Sequence, residues 1–292
     1  MHIQTLIATM HRGSITDLNV EAMNVPGTAV VVNQCPETEM ESRTELTDGS
    51  VMVTVDDSGL SRSRNAAIRL STADLCAIAD DDVKYLQNAE CTIAAAFSRY
   101  PRADVICFMA VDHGGKPFRR YGTRARYLRT YNAGFVASVT IAFRRASIHH
   151  AGLRFDEEFG LGSVYPTGEE YVFLTDAMKA GLGALFLPMP IVVHGESSSG
   201  TDYRNSRLLT AKGAVFARAF GALGLLLIPA FFAKTVARRT EPSSWLWTLG
   251  YMIRGWLQYM GRTRWTTPFG SSGSSTHRGF LWQAVRTRSH AH

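Results

Sequence analysis

Acidic residues all but vanish from the last third of this 292-residue chain: residues 204–292 hold 13 Lys or Arg and a single acid, Glu241. Residues 1–203 hold 18 basic and 24 acidic side chains, so the net charge of +6 hides −6 on one region and +12 on the other. Two regions with different partners are implied. Cysteine is scarce as well. Cys35, Cys76, Cys91 and Cys107 form no CxxC pair and sit in or beside apolar runs, so buried free thiols in a reducing compartment are expected, without disulfides or a zinc site. The N-terminus lacks the basic segment and long apolar run of a signal peptide and reads as a first strand, which leads to a cytoplasmic expectation. No apolar run is long enough for a simple membrane span. The longest, residues 219–233, is 15 residues with Pro229 inside it. As a helix it would reach about 22 Å, short of the ~30 Å hydrocarbon core.

What is present is a chain with 46% hydrophobic and 19% charged residues, enough to bury a core and to exclude wholesale disorder. In the first 110 residues β-rich runs alternate with helical stretches, which predicts an α/β fold with a mostly parallel sheet and crossover helices. The expected strands are residues 3–8, 29–33, 51–55, 75–79 and 104–109. Helices are expected from an N-cap at Ser61 to about Leu70 and over residues 86–100. A basic loop (Arg119, Arg120, Arg124, Arg126, Arg129) precedes the apolar stretch 133–143 and is expected on the acceptor side. Residues 167–180 read as an acid-led helix, followed by a Gly181-Leu182-Gly183 stop and a strand through Val193. Gly-Ser-rich residues 271–275 read as a linker. The chain divides into 1–203 and a helical, tryptophan-rich region 204–292, which holds Trp245, Trp247, Trp256, Trp265 and Trp282.

In such sheets ligands bind beyond the carboxyl ends of the strands. There, Leu75-Cys76-Ala77-Ile78-Ala79 runs directly into Asp80-Asp81-Asp82. Three carboxylates at the end of a buried strand repel one another, and a hard divalent ion such as Mg²⁺ or Mn²⁺, its shell completed by substrate phosphates, relieves this. A solvated acidic turn is the plain alternative. Upstream, Asp57-Ser58-Gly59-Leu60-Ser61-Arg62-Ser63-Arg64-Asn65 leads a turn into a helix whose first turn carries two arginines, a setting suited to a diphosphate. Surface arginines at a helix start would explain it equally well. A third cluster, Phe155-Asp156-Glu157 with Gly168-Glu169-Glu170, puts acids at a helix N-terminus, where the helix dipole by itself also favours them.

Taken in order, Gly59 to Asn65, the triad Asp80 to Asp82, Phe155-Asp156-Glu157, Gly168-Glu169-Glu170 and His194 resemble glycosyltransferase family 2, over roughly residues 3–196. Thr9-Met10-His11-Arg12 and Val32-Asn33-Gln34-Cys35 resemble its bacterial surface-polysaccharide branch. The resemblance implies a GT-A fold, Rossmann-like, and inverting transfer of a sugar from a nucleotide diphosphate, a UDP-sugar, to an acceptor hydroxyl. It implies metal-and-diphosphate roles for Asp80 and Asp82 beside Asp81, and His194 completing a Mn²⁺ or Mg²⁺ site. Donor binding falls to Arg64 and Asn65, with Asp57 in the same segment, and Thr9 begins the base-binding loop. The family's acidic uracil readers are replaced by Asn33 and Gln34, which can still pair with a base edge. Glu170 stands where the family has an aspartate base, and Glu169 contends for the role. A metal-dependent nucleotidyltransferase and a non-catalytic sugar-binding module are the rivals. The first leaves the Gly-Glu-Glu helix and His194 unexplained, and the second leaves unexplained why every acidic position is filled. The expected partners are a nucleotide-sugar donor, a glycan or lipid-linked glycan acceptor and the anionic inner face of the cell membrane, where basic residues and Trp245, Trp247, Trp256 and Trp265 would dock the 204–292 region. A buried core helix is the alternative for residues 219–233. Nucleic acid is not expected.

Overall fold

The computed structural model describes residues 1–36, 42–195 and 202–263. Its strands are β1 (Ile3–Met10), β2 (Thr28–Gln34), β3 (Ser42–Glu45), β4 (Val51–Val55), β5 (Leu75–Asp80), β6 (Lys84–Tyr85), β7 (Val105–Val111), β8 (Arg126–Tyr127), β9 (Ile141–Arg144) and β10 (Ala184–Val193). The helices are α1 (Val20–Met23), α2 (Leu60–Leu70), α3 (Ala89–Arg99), α4 (Arg145–His150), α5 (Glu169–Lys179), α6 (Ser206–Phe220), α7 (Leu223–Phe231) and α8 (Trp245–Thr263). All the strands join one sheet in the order β3-β4-β2-β1-β5-β9-β7-β10-β6, with β8 also on β10.

The alternation of side chains along a strand sorts its apolar residues onto two faces. Ile3 and Ile7 of β1, with Ala29 and Val31 of β2, pack on the face covered by α3. Leu6, Val30 and Val32 pack on the opposite face, covered by α2 and α5. Strands buried on both faces read as continuous apolar runs, which is why the five expected strands lie where the sequence puts them. Those pairs are parallel through β4-β2-β1-β5 and again at β7-β10. Between β5 and β7 runs β9, antiparallel to both, an insertion hidden in the apolar stretch 133–143.

Three local expectations are corrected. Gly59 (φ 113°), not Ser61, precedes α2, and the Ser61 hydroxyl donates to the Phe159 carbonyl at 2.6 Å. The helix expected over 86–100 begins only at Ala89. Cys76 and Cys107 are buried, but Cys35 is half-buried and Cys91 exposed, because α3 buries one stripe and Cys91 lies off it.

Helices α6 and α8 approach through glycine: a Cβ on Gly213 would strike the Met252 carbonyl, and one on Gly255 the Thr210 carbonyl. Ala211, Ala214 and Ala217 of α6 pack with Phe159, Tyr165 and Val172 of the preceding region in one cluster, so the two charge regions share core. Arg218 clamps this junction, donating to Asp176 at 2.9 and 2.6 Å and to Asp156 at 2.9 Å. The apolar run 219–233 is not one helix, since Gly221 (φ 56°) breaks it. Gly224 and Ile228 of α7 face inward, whereas Leu223 and Leu226 are 65% and 73% exposed. Among the described residues no helix is long and apolar enough to cross a membrane. Trp265, Trp282 and residues 271–275 lie outside the described residues.

Candidate active site

From β1 the chain winds outward through β2 to β4 and then crosses back to β5 on the other side of β1. The carboxyl ends of β1 and β5 therefore flank a topological switch point, the crevice where such sheets bind ligands. Ala8 pairs with Asp80, and Met10 with Gln34, so Thr9, Asn33, Gln34 and the aspartate triad meet along one edge.

Around this edge several expected site residues hold loops. The Asn33 carboxamide accepts from the Arg12 N–H at 3.0 Å and donates to the Arg12 carbonyl at 2.8 Å and to the Thr54 hydroxyl at 3.1 Å, fixing the turn after β1. Gln34 donates to the Gly59 carbonyl at 3.1 Å and is buried, as Asn33 is. The Thr9 hydroxyl donates to Asp81 at 2.6 Å, and Arg12 reaches the same carboxylate at 3.1 Å. Asp57 accepts from the Ser58 N–H at 2.8 Å and from Arg62 at 3.1 Å.

Arg64 joins the two acidic motifs. It sits one turn into α2, 2% exposed, over the Phe155 ring at 5.5 Å. One amino group donates to Asp80 at 2.7 Å and the other to Glu169 at 2.9 Å. Burial pulls its pKa down, but the two carboxylates outweigh that and hold it above the ordinary arginine value. Asn65 is also enclosed, donating to the Phe155 carbonyl at 2.9 Å and to Glu157 at 3.0 Å while accepting from the Phe155 N–H at 2.7 Å. The arginine that the start of α2 leaves accessible is Arg62, which lines a cleft with Ser58, Glu157 and Ser163.

Glu169 and Glu170 open α5 after Gly168 (φ 93°), where a Cβ would also collide with Val215 of α6. Adjacent on a helix, the two point differently. Glu169 is buried and ion-paired to Arg64, whereas Glu170 lies half-buried without such a partner among the described residues. Burial, then the charge of Glu169, pushes the Glu170 carboxyl up to about 7 against the opposing pull of Arg119 and Arg64. That value suits a group that must accept a proton near neutral pH. Lys212 of α6, close enough to act on Glu170, carries no motif and lies far along the chain, so no local sequence signal marks it.

The expected metal set is only partly assembled. Among the described residues no three His, Cys, Asp or Glu side chains gather closely enough to hold an ion, and the His194 ring lies 4.6 Å from Phe118 with Nδ1 2.9 Å from the Gly195 carbonyl oxygen. Asp80 engages Arg64 through Oδ1, leaving Oδ2, and Asp82 is exposed. Two hard carboxylates at this crevice fit Mg²⁺ or Mn²⁺, ions that take one or two protein carboxylates and complete their shell with other oxygen ligands.

No family model and no curated protein matches the chain. Solved structures do. S. aureus TarS 1–349 in complex with UDP-GlcNAc matches with a TM-score of 0.56 at 14% identity, covering 87% of this chain and 81% of that one. The same TarS segment in complex with UDP gives 0.54 at 13% identity, over 92% and 93%. A longer TarS chain gives 0.55 at 16% identity, over 87% of this chain and 49% of that one. At such identity the likeness is one of fold: a mixed α/β architecture with a mostly parallel central sheet flanked by helices, as the resemblance to GT-A enzymes implied.

Proposed function

We propose that this protein is an inverting glycosyltransferase that moves a sugar from a nucleotide diphosphate sugar, a UDP-sugar by the family resemblance, to an acceptor hydroxyl in bacterial polysaccharide assembly. The observation that carries the reading is the Arg64 bridge. By neutralising Asp80 and Glu169 together it draws the triad at the end of β5 and the acid pair of α5 into one crevice, and it leaves Glu170 as the carboxylate free to take a proton. Solved structures of the same fold with UDP-GlcNAc and with UDP support a nucleotide-sugar donor.

Glu170 removes the proton from the acceptor hydroxyl as its oxygen attacks the anomeric carbon. The bond from that carbon to the diphosphate oxygen breaks in the same displacement, so the configuration inverts and no enzyme nucleophile is needed. Arg62, at the accessible start of α2, is placed to meet the diphosphate, while Arg64 positions Asp80 and Glu169 rather than facing the donor. A bound Mg²⁺ or Mn²⁺ would be held by Asp80 and Asp82 and would neutralise charge on the departing nucleoside diphosphate.

The 204–292 region is proposed to rest on an anionic membrane face. Its support is the apolar surface of α7 and α8, where Leu223, Leu226, Trp245, Leu246 and Trp247 are all exposed, beside the exposed cations Lys234, Arg238 and Arg254. Trp256 serves otherwise, donating to the Gly221 carbonyl at 3.0 Å across the α6–α7 turn. Screening nucleotide sugars for donor hydrolysis, with Mn²⁺ and Mg²⁺ compared, tests the transfer reading: release of a nucleoside diphosphate supports it, and release of pyrophosphate points to nucleotidyl transfer. Asp82→Ala should weaken nucleoside-diphosphate binding in calorimetry only when the metal is present, and equal weakening without it would remove the metal role.

A further inference from the structure

Near Glu170, two cations lie against one ring and a third acts on both that ring and the carboxylate. Lys212 of α6 sits with its Nζ 5.3 Å from the centroid of the buried Tyr203 ring, and the Arg239 guanidinium lies 5.7 Å from the same centroid. Arg119 acts on Tyr203, on Lys212 and on Glu170, and is held in place by donating to the carbonyls of Phe135 and Val136 at 3.2 and 2.9 Å. Among the described residues none of the three enters an ion pair, and Glu170 is the carboxylate that acts on Lys212. Like charges close to one buried ring repel one another, and among the described residues a single carboxylate acts against them. Burial, reinforced by Arg119 and Arg239, accordingly pushes the Lys212 ammonium down to about 8 in spite of Glu170.

The charge arrangement suits an anionic group, and it borders the carboxylate assigned as base. Arg239 forms its exposed rim, while Lys212 and Arg119 form its half-buried floor. We infer that Arg119, Lys212 and Arg239 bind a phosphate group carried by the glycosyl acceptor, holding that acceptor with its hydroxyl toward Glu170. This rests on the glycosyltransferase reading and adds the acceptor's chemistry, a phosphate monoester or diester close to the accepting hydroxyl. It also assigns α6 and the segment after α7 a part in the site, since two of the three cations come from the basic region. A dianionic or monoanionic phosphate accepts from ammonium and guanidinium donors alike, and charge-assisted bonds of this type are the stronger kind.

The test uses the whole chain and needs no knowledge of the natural acceptor. Lys212, depressed toward 8, should react readily with an amine acylating reagent near that pH, and mass spectrometry reads its labelling rate against that of the exposed Lys234. Inorganic phosphate and glycerol 3-phosphate are expected to slow labelling of Lys212, while glycerol, and sodium chloride at matched ionic strength, are not. In Arg239→Gln, at the rim, the protecting concentration should rise at least about tenfold, the weight of one charge-assisted bond. A thermal melt shows that the variant is folded. No protection in the parent protein, or equal protection in Arg239→Gln, overturns the site. Protection by phosphatidylglycerol vesicles but not by the soluble phosphates also overturns it, because the cluster would then belong to the bilayer contact. The donor-hydrolysis screen on the same preparation separates the two readings. Sugar release without phosphate protection removes only the acceptor site, whereas protection without sugar release leaves an anion site and removes the glycosyltransferase.

Discussion

Up to Tyr203 three arginines of the region itself arrange the carboxylates around the crevice: Asp80 and Glu169 share Arg64, Asp81 has Arg12, and Asp57 and Glu157 share Arg62. Beyond it the balance reverses. Among the described residues of the basic region only Arg218 and Arg262 enter ion pairs, and both reach back to Asp156, Asp176 and Glu158 of the acidic region. The acidic region thus uses its own cations to arrange a site, while the basic region gives two to the junction, and its other described cations enter no ion pair. At Arg64 the charge of the first region acts at short range in a buried setting, where it is strong. The remaining charge of the second is exposed or half-buried, and its effect depends on what it meets.

The sharpest way to break this contrast is at the group both regions touch. Glu170→Gln should keep donor binding yet lower the rate of transfer by about 10²- to 10⁴-fold, the usual worth of a general base. In the parent protein kcat/KM should rise with pH up to about 7, since Glu170 accepts a proton only when ionised and its pKa is raised to that value. A flat parent profile, or a stronger loss in Glu169→Gln, would move the base elsewhere.

Next in size is the buried hub of the acidic region. Arg64→Met strands Asp80 and Glu169 without their shared cation and should cost about 3–5 kcal/mol in denaturant unfolding. A loss under about 1 kcal/mol would mean that solvent already screens the bridge. At the junction, Arg218→Ala removes a two-pronged contact with Asp176 and one with Asp156, for which about 2–3 kcal/mol is expected. Hydrogen exchange should quicken in α6 before it does in β1 or β5 if the clamp is local.

The smallest effect on the fold belongs to the exposed apolar face. Leu226→Asp and Leu246→Asp, at 73% and 88% exposure, should leave stability within about 0.5 kcal/mol. Flotation with anionic vesicles should fall about tenfold for each, the worth of burying one leucine. Unchanged flotation would take the membrane contact away from this face.

The strands and the acidic motifs were legible in the sequence because a doubly covered parallel strand must be apolar throughout, and the chain pattern alone reports that. Val51–Val55 appears in the structure with the bounds read from the sequence, and Asp80 sits at the end of β5 where the apolar run stops. The C-cap glycine of α6, the cap of α2 and the antiparallel β9 were not legible, since each depends on a neighbour: Gly59 on the Leu161 carbonyl that takes the Leu60 N–H at 2.9 Å, and β9 on the two strands that flank it. Composition alone set the acidic and basic regions apart. Which carboxylate is paired and which is left to act was decided only by tertiary structure, because Arg64, Glu169, Glu170 and Lys212 come from three separate helices. Their charges matter at distances that only folding creates, and Coulomb energy follows that separation and the water it excludes, not position along the chain.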